Sequence, residues 1–398
     1  MADYVTEEFT ALLEYDRGLP GRYFTDATLF ELERKAVFES SWMCIGLSAD
    51  VPSKGDLFPV TVLGQPVLML RDGATLRVVH NVCSHRGAML VEAPTRGRPR
   101  IVCPYHSWAY KLDGELVSTP HVGGANQHIC AQLDPKRLGL REVRSYEWAG
   151  HVFVNLSGTA APFTEWIRPV AQRFGRIEWA HLRHDASLTR QLEVAANWKI
   201  IVENFVESYH VPWVHKALNA VNPMSLHYQI LGGHAYLGQG GTGYQPEQVA
   251  GTALPLMKGL SDASRYEALA VFPNLILSPL PDITFSIILL PETAERTRER
   301  VEFFYVGDEA LEDRYSAGRR TGAEFITSVN AEDVKIVEAV QRGRHSPAFS
   351  GGQFAAAQEA TSLQFQKMVV ARILAGSKRA PEDIVLLPTR DIQHPQTV

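Results

Sequence analysis

Two short clusters of thiol and imidazole side chains carry the clearest chemistry in this chain. Cys83-Ser84-His85-Arg86-Gly87 is followed, with seventeen residues between His85 and Cys103, by Cys103-Pro104-Tyr105-His106. Thiolate and neutral imidazole both ligate zinc, and both ligate iron–sulfur clusters. A structural zinc site more commonly shows Cys-x-x-Cys, with its His pair at helical spacing. Here each half supplies one Cys and one His, with a single residue between them in the first half. That division suits a [2Fe–2S] centre with two Cys on one iron and two His on the other. Imidazole ligands raise the potential of such a centre above that of an all-thiolate one, so it would accept electrons readily and pass them to something more oxidising.

A receiver for those electrons is written further along. Residues 197–215 read Asn-Trp-Lys-Ile-Ile-Val-Glu-Asn-Phe-Val-Glu-Ser-Tyr-His-Val-Pro-Trp-Val-His. Ile200, Ile201, Phe205 and Tyr209 form the apolar band of a helix predicted over 198–210, and Glu203, Glu207 and His210 share another face of it. His215 would point roughly 140° away from His210, since each helical residue advances about 100°. Pro212 offers no N–H to the carbonyl of Ser208 and disfavours helical geometry at Val211, so a break or widened turn is expected between the two histidines. Two His and one carboxylate around an ion with open positions make a non-haem Fe(II) site for O2. The structural alternative is a capping His and a core His. A third ligand must come from elsewhere in the chain. Asn330-Ala331-Glu332-Asp333 opens a stretch whose apolar face is Val334, Val337 and Val340, and spacing alone makes Asn330 an N-cap and Asp333 its capping-box partner.

Composition sets the frame. The chain has 398 residues, enough for two domains with their own cores, and a formal net charge of -5 with no long basic run, which makes nucleic acid an unexpected partner. No apolar run reaches the length of a membrane span, and Met1-Ala2-Asp3-Tyr4 lacks the basic-then-apolar pattern of a signal peptide. The four cysteines do not form a disulfide framework in a chain of this size. Two belong to the first cluster, Cys44 reads as a small core residue, and Cys130 has no assigned role. The expected compartment is a reducing cytoplasm.

The positioning elements divide the chain in three. Residues 1–44 form an N-terminal helical segment packing on the catalytic domain, with a helix predicted over 26–42 behind a Thr25 or Asp26 cap. Residues 45–157 turn to short strands: Leu57–Leu63, Val67–Arg71 and Leu76–Asn81, separated by Gly64-Gln65-Pro66 and Asp72-Gly73 turns, then an Asp113-Gly114 hairpin and Trp148–Asn155. This is a compact antiparallel domain with the Cys/His motifs on two loop tips. Residues 158–398 mix strand-like runs (Leu188–Val194, Leu226–Tyr236, Ala268–Leu277, Ile283–Leu290, Val301–Val306) with helical stretches at 164–174, 198–210, 308–328, 330–342 and 354–375. The fold class is α+β, with an antiparallel sheet surrounded by helices in the larger domain. The Gly-rich stretch 238–264 reads as a loop over a pocket. No Gly-x-Gly-x-x-Gly element follows a strand and opens a helix, so a nicotinamide or flavin domain is not expected within the chain.

Cys-x-His, a gap and Cys-x-x-His resembles the Rieske signature, with Arg86, Gly87 and Trp108 in the usual setting. Glu-x-x-His-x-x-x-x-His, preceded by Asn-Trp-Lys, resembles the catalytic segment of Rieske non-haem iron oxygenases, and Gly-Leu-Pro-Gly at 18–21 with Tyr23-Phe24-Thr25-Asp26 resembles the opening of their large subunits. The resemblance covers nearly the whole chain. It implies a [2Fe–2S] cluster on Cys83, His85, Cys103 and His106, and a mononuclear Fe(II) on His210 and His215. Glu-Asp-x-x-x-x-Glu leading to Gln-Arg-Gly matches the family's last iron ligand and gives Asp333, with Glu332 left open because helix phase near a cap is uncertain. Glu207 would link His210 to a cluster-ligating His of a neighbouring subunit in a homotrimer. Many members carry Asp there, and Glu occurs in members that attack alkylammonium substrates.

The resemblance further implies an oxygenase that uses O2 and electrons from a separate NAD(P)H-dependent reductase, with or without a ferredoxin between them. The expected substrate is an N-methylated or quaternary ammonium compound, as in choline, carnitine and betaine monooxygenases, or alternatively an aromatic ring open to dioxygenation. A Rieske electron carrier is the rival from another class. It gives no purpose to His210, His215 and Asp333, and iron content separates the two: three irons per chain against two.

Overall fold

A computed structural model of the chain describes residues 9, 11–12, 17–258, 262–375 and 390–393. They fall into two compact units, Trp42–Ala160 in one, and Met1–Ser41 with Ala161–Val398 in the other.

In the larger unit the Asp26 carboxylate accepts from the N–H groups of Thr28 (2.6 Å) and Leu29 (3.1 Å) and so caps helix α1 (Ala27–Glu33). The helix predicted for 26–42 does not stay regular: it widens into a π-helical turn over Arg34–Glu39. Phe30, Val37 and Phe38 are its buried face.

The smaller unit consists of three antiparallel sheets of three strands. One is β1 (Met43–Leu47) with β8 (Arg144–Trp148) and β9 (His151–Asn155); another is β2 (Leu57–Val62), β3 (Gln65–Asp72) and β4 (Thr75–His80); the third is β5 (Ile101–Val102), β6 (Ala109–Tyr110) and β7 (Leu116–Ser118). The turn between β2 and β3 is Leu63-Gly64, one residue earlier than the sequence suggested. Both residues have positive φ (51° and 77°), which matches the twist of a two-residue hairpin. Pro66 therefore lies inside β3. The single strand expected over Trp148–Asn155 is half of a second such hairpin, turning at Ala149-Gly150 (φ 51° and 76°). Leu57, Leu68, Leu70 and Val79 pack with Cys83, Cys103, Trp108 and Tyr110 in one core, so the ligand loops grow out of the best-packed part of the unit.

The rest of the larger unit is built on a nine-stranded antiparallel sheet in the order β10 (Leu182–His184), β17 (Arg296–Val306), β16 (Ile283–Thr293), β15 (Leu275–Pro279), β14 (Tyr266–Val271), β13 (Tyr236–Gly241), β12 (His227–Gly232) and β18 (Arg390–Gln393), with β11 (Arg190–Val194) also paired to β17. Helices α2 (Trp198–Phe205), α6 (Ser316–Arg344) and α7 (Ala360–Ala375) pack on it, and the short helices α3 (Val211–Val214), α4 (Lys216–Val221) and α5 (Pro246–Ala250) line its connections. An antiparallel sheet surrounded by helices is the architecture expected. The Gly-rich stretch is less of a loop than it reads. Gly238, Gly240 and Gly241 belong to β13, where a Cβ on Gly240 would lie 2.2 Å from the Tyr228 ring and one on Gly241 would lie 2.4 Å from that of Tyr266. The glycines make room for two tyrosines. The two helices expected over 308–328 and 330–342 are one, because nothing at 329 interrupts α6. Asn330 thus sits in mid-helix and caps nothing.

Candidate metal centres

The Cys/His motifs are two copies of one loop. Gly87 N–H donates to the Cys83 carbonyl (3.0 Å), and Cys83 N–H to that of Ala88 (2.8 Å). Ser107 N–H donates to the Cys103 carbonyl (3.1 Å), and Cys103 N–H to that of Trp108 (2.8 Å). Each loop turns back through a residue of positive φ, Gly87 at 72° and Ser107 at 57°. Both thiols are buried, whereas His85 is exposed and His106 half-buried. The two imidazole centroids are 4.7 Å apart, and His85 stacks on Trp108 at 4.5 Å with 9° between the planes.

This donor set fits a two-iron cluster and not a single zinc ion. Among the described residues the one group of three that brings its ligand atoms within 4.8 Å of one another is His210, His215 and Asp333, so the Cys83, His85, Cys103 and His106 set does not converge on one point. His106 Nδ1 is buried without a hydrogen-bond partner, the condition of an atom meant for a metal. Tyr110, which the sequence reading passed over, places its hydroxyl 3.2 Å from Cys83 Sγ and 2.9 Å from Ser84 Oγ. Hydrogen bonds to cluster sulfurs favour the reduced form. Tyr110→Phe is expected to lower the reduction potential on the order of 50–100 mV, the one-electron equivalent of a charge-assisted hydrogen bond. Iron content should not change. A potential equal to wild type in a redox titration would remove Tyr110 from any tuning role.

The second site forms where a helix stops. Asn197 caps α2 by accepting from Lys199 N–H (3.0 Å), and its amide donates to the Ala294 carbonyl (2.7 Å). The helix ends at Phe205, short of the expected 210. Residues 207–210 form a turn, and Pro212 lies in the first turn of α3, where its missing N–H costs nothing. The break therefore falls before His210, with a second one at His215 between α3 and α4. Glu203, Glu207 and His210 do not share a helical face. Glu203 points inward to Arg344 (3.4 Å) and Gln366 (2.7 Å), while Glu207 folds over its own turn. Glu207 Oε2 accepts from the N–H groups of Tyr209 and His210, and Oε1 bonds His210 Nδ1.

These breaks bring His210 Nε2 to 3.2 Å from His215 Nε2, and Asp333 Oδ1 to 2.9 Å from His215 Nε2 and 3.5 Å from His210 Nε2. Glu332 lies behind, 2.7 Å from His215 Nδ1. Each imidazole thus presents Nε2 to the common point while a carboxylate holds its Nδ1, the arrangement that fixes tautomer and ring orientation in metal-binding histidines. Burial works against the charged form of His215, but the Asp333 and Glu332 carboxylates outweigh it and raise its pKa. Two imidazoles and a carboxylate converging at these distances fit a 2-His-1-carboxylate iron centre.

A cavity of about 150 Å³ opens on these three residues. Its walls are mostly apolar and aromatic, with Phe205, Tyr244, Tyr266, Phe285 and Phe325 prominent, and no lysine or arginine lines it among the described residues. Phe285 and Ile287 show that alternate residues of β16 face the cavity, the half of that strand which period 2 permits. Polar groups gather on one side, where the Tyr266 hydroxyl donates to Asn222 Oδ1 (3.0 Å) and lies 3.3 Å from His227 Nε2.

Comparison with known proteins gives this arrangement a class. Residues 41–142 match the Rieske [2Fe-2S] domain, and residues 179–375 match the catalytic domain of the ring hydroxylating alpha subunit. The chain belongs to the Rieske non-haem iron oxygenases, as a large subunit with a Rieske domain and a catalytic domain, and it is an oxidoreductase. The cofactors of that class are the [2Fe–2S] cluster and a mononuclear iron. Among its relatives, the carnitine monooxygenase oxygenase subunit of Escherichia coli is 28% identical over 349 residues, 87% of this chain and 89% of the relative. The anthranilate 1,2-dioxygenase large subunit of Acinetobacter baylyi is 34% identical over 202 residues, 48% of this chain and 41% of that one. The fold is that of a quaternary ammonium Rieske monooxygenase (TM-score 0.76, 23% identity, covering 89% of this chain and 95% of the other) and of naphthalene 1,2-dioxygenase from Rhodococcus sp. (TM-score 0.77, 18% identity, 94% and 98%). No helix among the described residues is long and apolar enough to cross a membrane.

Proposed function

We propose that the chain is the terminal oxygenase of a Rieske system that oxidises a small N-methylated or quaternary ammonium compound. In this reading Cys83, His85, Cys103 and His106 hold the cluster, His210, His215 and Asp333 hold Fe(II), and a separate NAD(P)H-dependent reductase supplies electrons. The iron, when bound, supplies activation of O2 for transfer of oxygen to a C–H bond. The protein does the rest. Glu207 and Glu332 fix the two imidazoles, Asp333 completes the site, and the apolar cavity walls keep bulk water from the reacting bond.

The observation that carries the substrate class is the cavity lining. It has aromatic faces and, among the described residues, no lysine or arginine at its wall, so away from the metal no side-chain cation repels an ammonium group and none pairs a free carboxylate. The names of relatives support the same class, since glycine betaine and carnitine monooxygenase subunits are among them. Aromatic ring hydroxylation is the second reading, favoured by the same apolar walls and by the 34% identity to an anthranilate dioxygenase over half the chain. A panel of betaines, cholines, carnitines and aromatic acids, assayed with a surrogate reductase for O2 uptake and product, separates them. Stoichiometric aldehyde, with a released amine where a C–N bond is cut, marks the first class, and a cis-diol or ring hydroxylation marks the second.

The functional unit in this reading is a homotrimer in which electrons cross from the cluster of one subunit to the iron of the next through Glu207. Glu207 Oε2 already accepts from two N–H groups of its own turn, but Oε1, bonded to His210 Nδ1, can accept a second hydrogen bond, which leaves room for an imidazole N–H of a neighbouring cluster. Glu207→Gln is expected to retain both metal centres while slowing cluster reoxidation in a single turnover with substrate and O2 by roughly 10–100-fold, the usual cost of losing such a partner. Reoxidation at the wild-type rate would exclude Glu207 from the path, and a monomer fully active at high dilution would exclude the path itself.

A further inference from the structure

Strand β15 reads Leu-Ile-Leu-Ser-Pro and is buried at every position. Its fourth residue, Ser278, is fully buried, and its hydroxyl has no hydrogen-bond partner. Ser278 stands opposite Phe285 of β16, so the two share a face of the sheet, and both line the cavity that opens on His210, His215 and Asp333. Ala268 of β14, the strand on the other side, lines it as well. A phenyl ring from one neighbouring strand and a methyl group from the other give the hydroxyl nothing to bond.

Other polar side chains of the same wall are already committed. Asn222 Nδ2 donates to the Thr242 carbonyl (2.8 Å), and Asn222 Oδ1 accepts from the Tyr266 hydroxyl (3.0 Å). Gln239 Nε2 donates to the Phe205 carbonyl (2.9 Å), and its Oε1 lies 3.2 Å from His227 Nδ1. The Tyr244 hydroxyl donates to Asp282 Oδ1 (2.9 Å). Among the described residues, Ser278 Oγ is the one side-chain polar atom of this wall that is both buried and unpaired. Leaving a buried hydroxyl unpaired costs free energy that an alanine would avoid. The partner it lacks within the protein can come from what fills the cavity.

Position and chemistry narrow that occupant. Two residues back along β15, Ile276 shares the wall of a small cavity with Asp333. Ile276 thus marks the metal end of the strand, and Ser278 lies roughly 7 Å further along it. The hydroxyl therefore meets a part of the substrate remote from the carbon that is oxidised. Among the described residues the wall holds no lysine or arginine to meet a carboxylate, which would give up its water for a single neutral donor. An uncharged hydroxyl gives up less, and it matches Ser278 both as donor and as acceptor.

We infer that Ser278 is a specificity-determining residue that holds an uncharged hydroxyl group of the substrate, at the end of the molecule away from the carbon oxidised. The inference deepens the proposed function and rests on it for the ammonium group: the N-methylated or quaternary ammonium compound becomes one that also carries an alcohol. Its ammonium group lies against the aromatic walls, and its hydroxyl exchanges hydrogen bonds with Ser278.

The test is calorimetric binding of matched probes to the resting holoenzyme, without reductant. Choline is set against propyltrimethylammonium, which has a methyl group where choline has its hydroxyl, and benzyl alcohol against ethylbenzene in the same way. Glycine betaine is the carboxylate control. Ser278→Ala should shift the ratio of the choline and propyltrimethylammonium affinities roughly 10-fold toward the alkyl compound, the worth of one hydrogen bond. Ser278→Thr, which keeps a hydroxyl, should restore the wild-type ratio even where its extra methyl weakens both probes together. Without ligand, Ser278→Ala should unfold no earlier than wild type, because it gives up no bond. If benzyl alcohol binds and neither ammonium probe does, the ammonium reading fails, and Ser278 is judged on the aromatic pair by the same shift. The inference is overturned by an unchanged ratio in Ser278→Ala for the pair that binds. It is also overturned by an effect on glycine betaine equal to that on choline, by a lower midpoint of the ligand-free variant, or by failure of both alcohols to bind.

Discussion

Asp333→Ala is expected to leave two irons per chain in place of three, with the visible absorption of the cluster unchanged and product formation lost. Three ligand atoms lie within 4.8 Å of one another, and Asp333 Oδ1 is the only oxygen among them. Removing it leaves two imidazoles that cannot hold Fe(II) in competition with water. Glu332 cannot replace it: its carboxylate lies on the far side of the His215 ring, at Nδ1, 2.7 Å away. The loss should therefore exceed the ~100-fold that removal of an outer partner typically costs. Glu332→Ala, which frees the His215 ring without removing a ligand, should fall within roughly 10–100-fold and keep most of its iron. Iron analysis and product yield on the two variants decide the matter. The reverse ranking, with Asp333→Ala active and Glu332→Ala dead, would move the ligand by one residue.

That ambiguity shows where the sequence stopped being legible. The four residues proposed for the cluster and the two histidines proposed for the iron stand out because their spacing is short and their types are chemically narrow. The antiparallel strands of the smaller unit could be read because Asp-Gly and Gly turns punctuate them. Asp333 could not be read from spacing, since Asn330-x-x-Asp333 imitates a helix cap. Only the continuity of α6 through residue 330 takes that reading away. The position of the helix break was misjudged for a related reason. Pro212 reads as a breaker inside a helix, yet it occupies a first turn, where it is harmless. Glu207 terminates α2 in effect, by drawing the N–H groups of Tyr209 and His210 onto its own side chain. A side chain that caps its own backbone leaves little trace in a periodicity pattern. The Gly-rich stretch failed in the opposite sense. Its glycines read as loop, but they are the empty side of two tyrosine contacts that only the sheet register reveals.

Asn-Trp-Lys at 197–199 was legible as a family resemblance but not as physics, and its physics sets the other large expectation. Glu33→Ala should destabilise the protein by roughly 3–5 kcal/mol, the cost of leaving one partner of a buried ion pair alone. Lys199 is fully buried at the start of α2, with Nζ 2.6 Å from Glu33 Oε1 and 5.1 Å from the centre of the Phe24 ring. Glu33 Oε2 accepts from Trp198 Nε1 at 3.0 Å, so one carboxylate from the end of α1 holds both residues. Without it, a buried ammonium and a buried indole N–H lose their acceptor together. The damage should reach the iron, because α2 leads directly into the turn that carries Glu207 and His210. The variant should lose mononuclear iron on warming before the cluster bleaches. Replacing both partners, Glu33→Leu with Lys199→Met, should recover much of the loss, since an apolar pair of similar volume needs no counter-charge. Thermal midpoints should be compared at matched iron content, as bound metal adds stability of its own. A Glu33→Ala midpoint within the spread of surface substitutions, about 0.5 kcal/mol, would mean that Lys199 finds another partner when α1 is altered. In that case the N-terminal segment would not be what fixes the start of the catalytic helix.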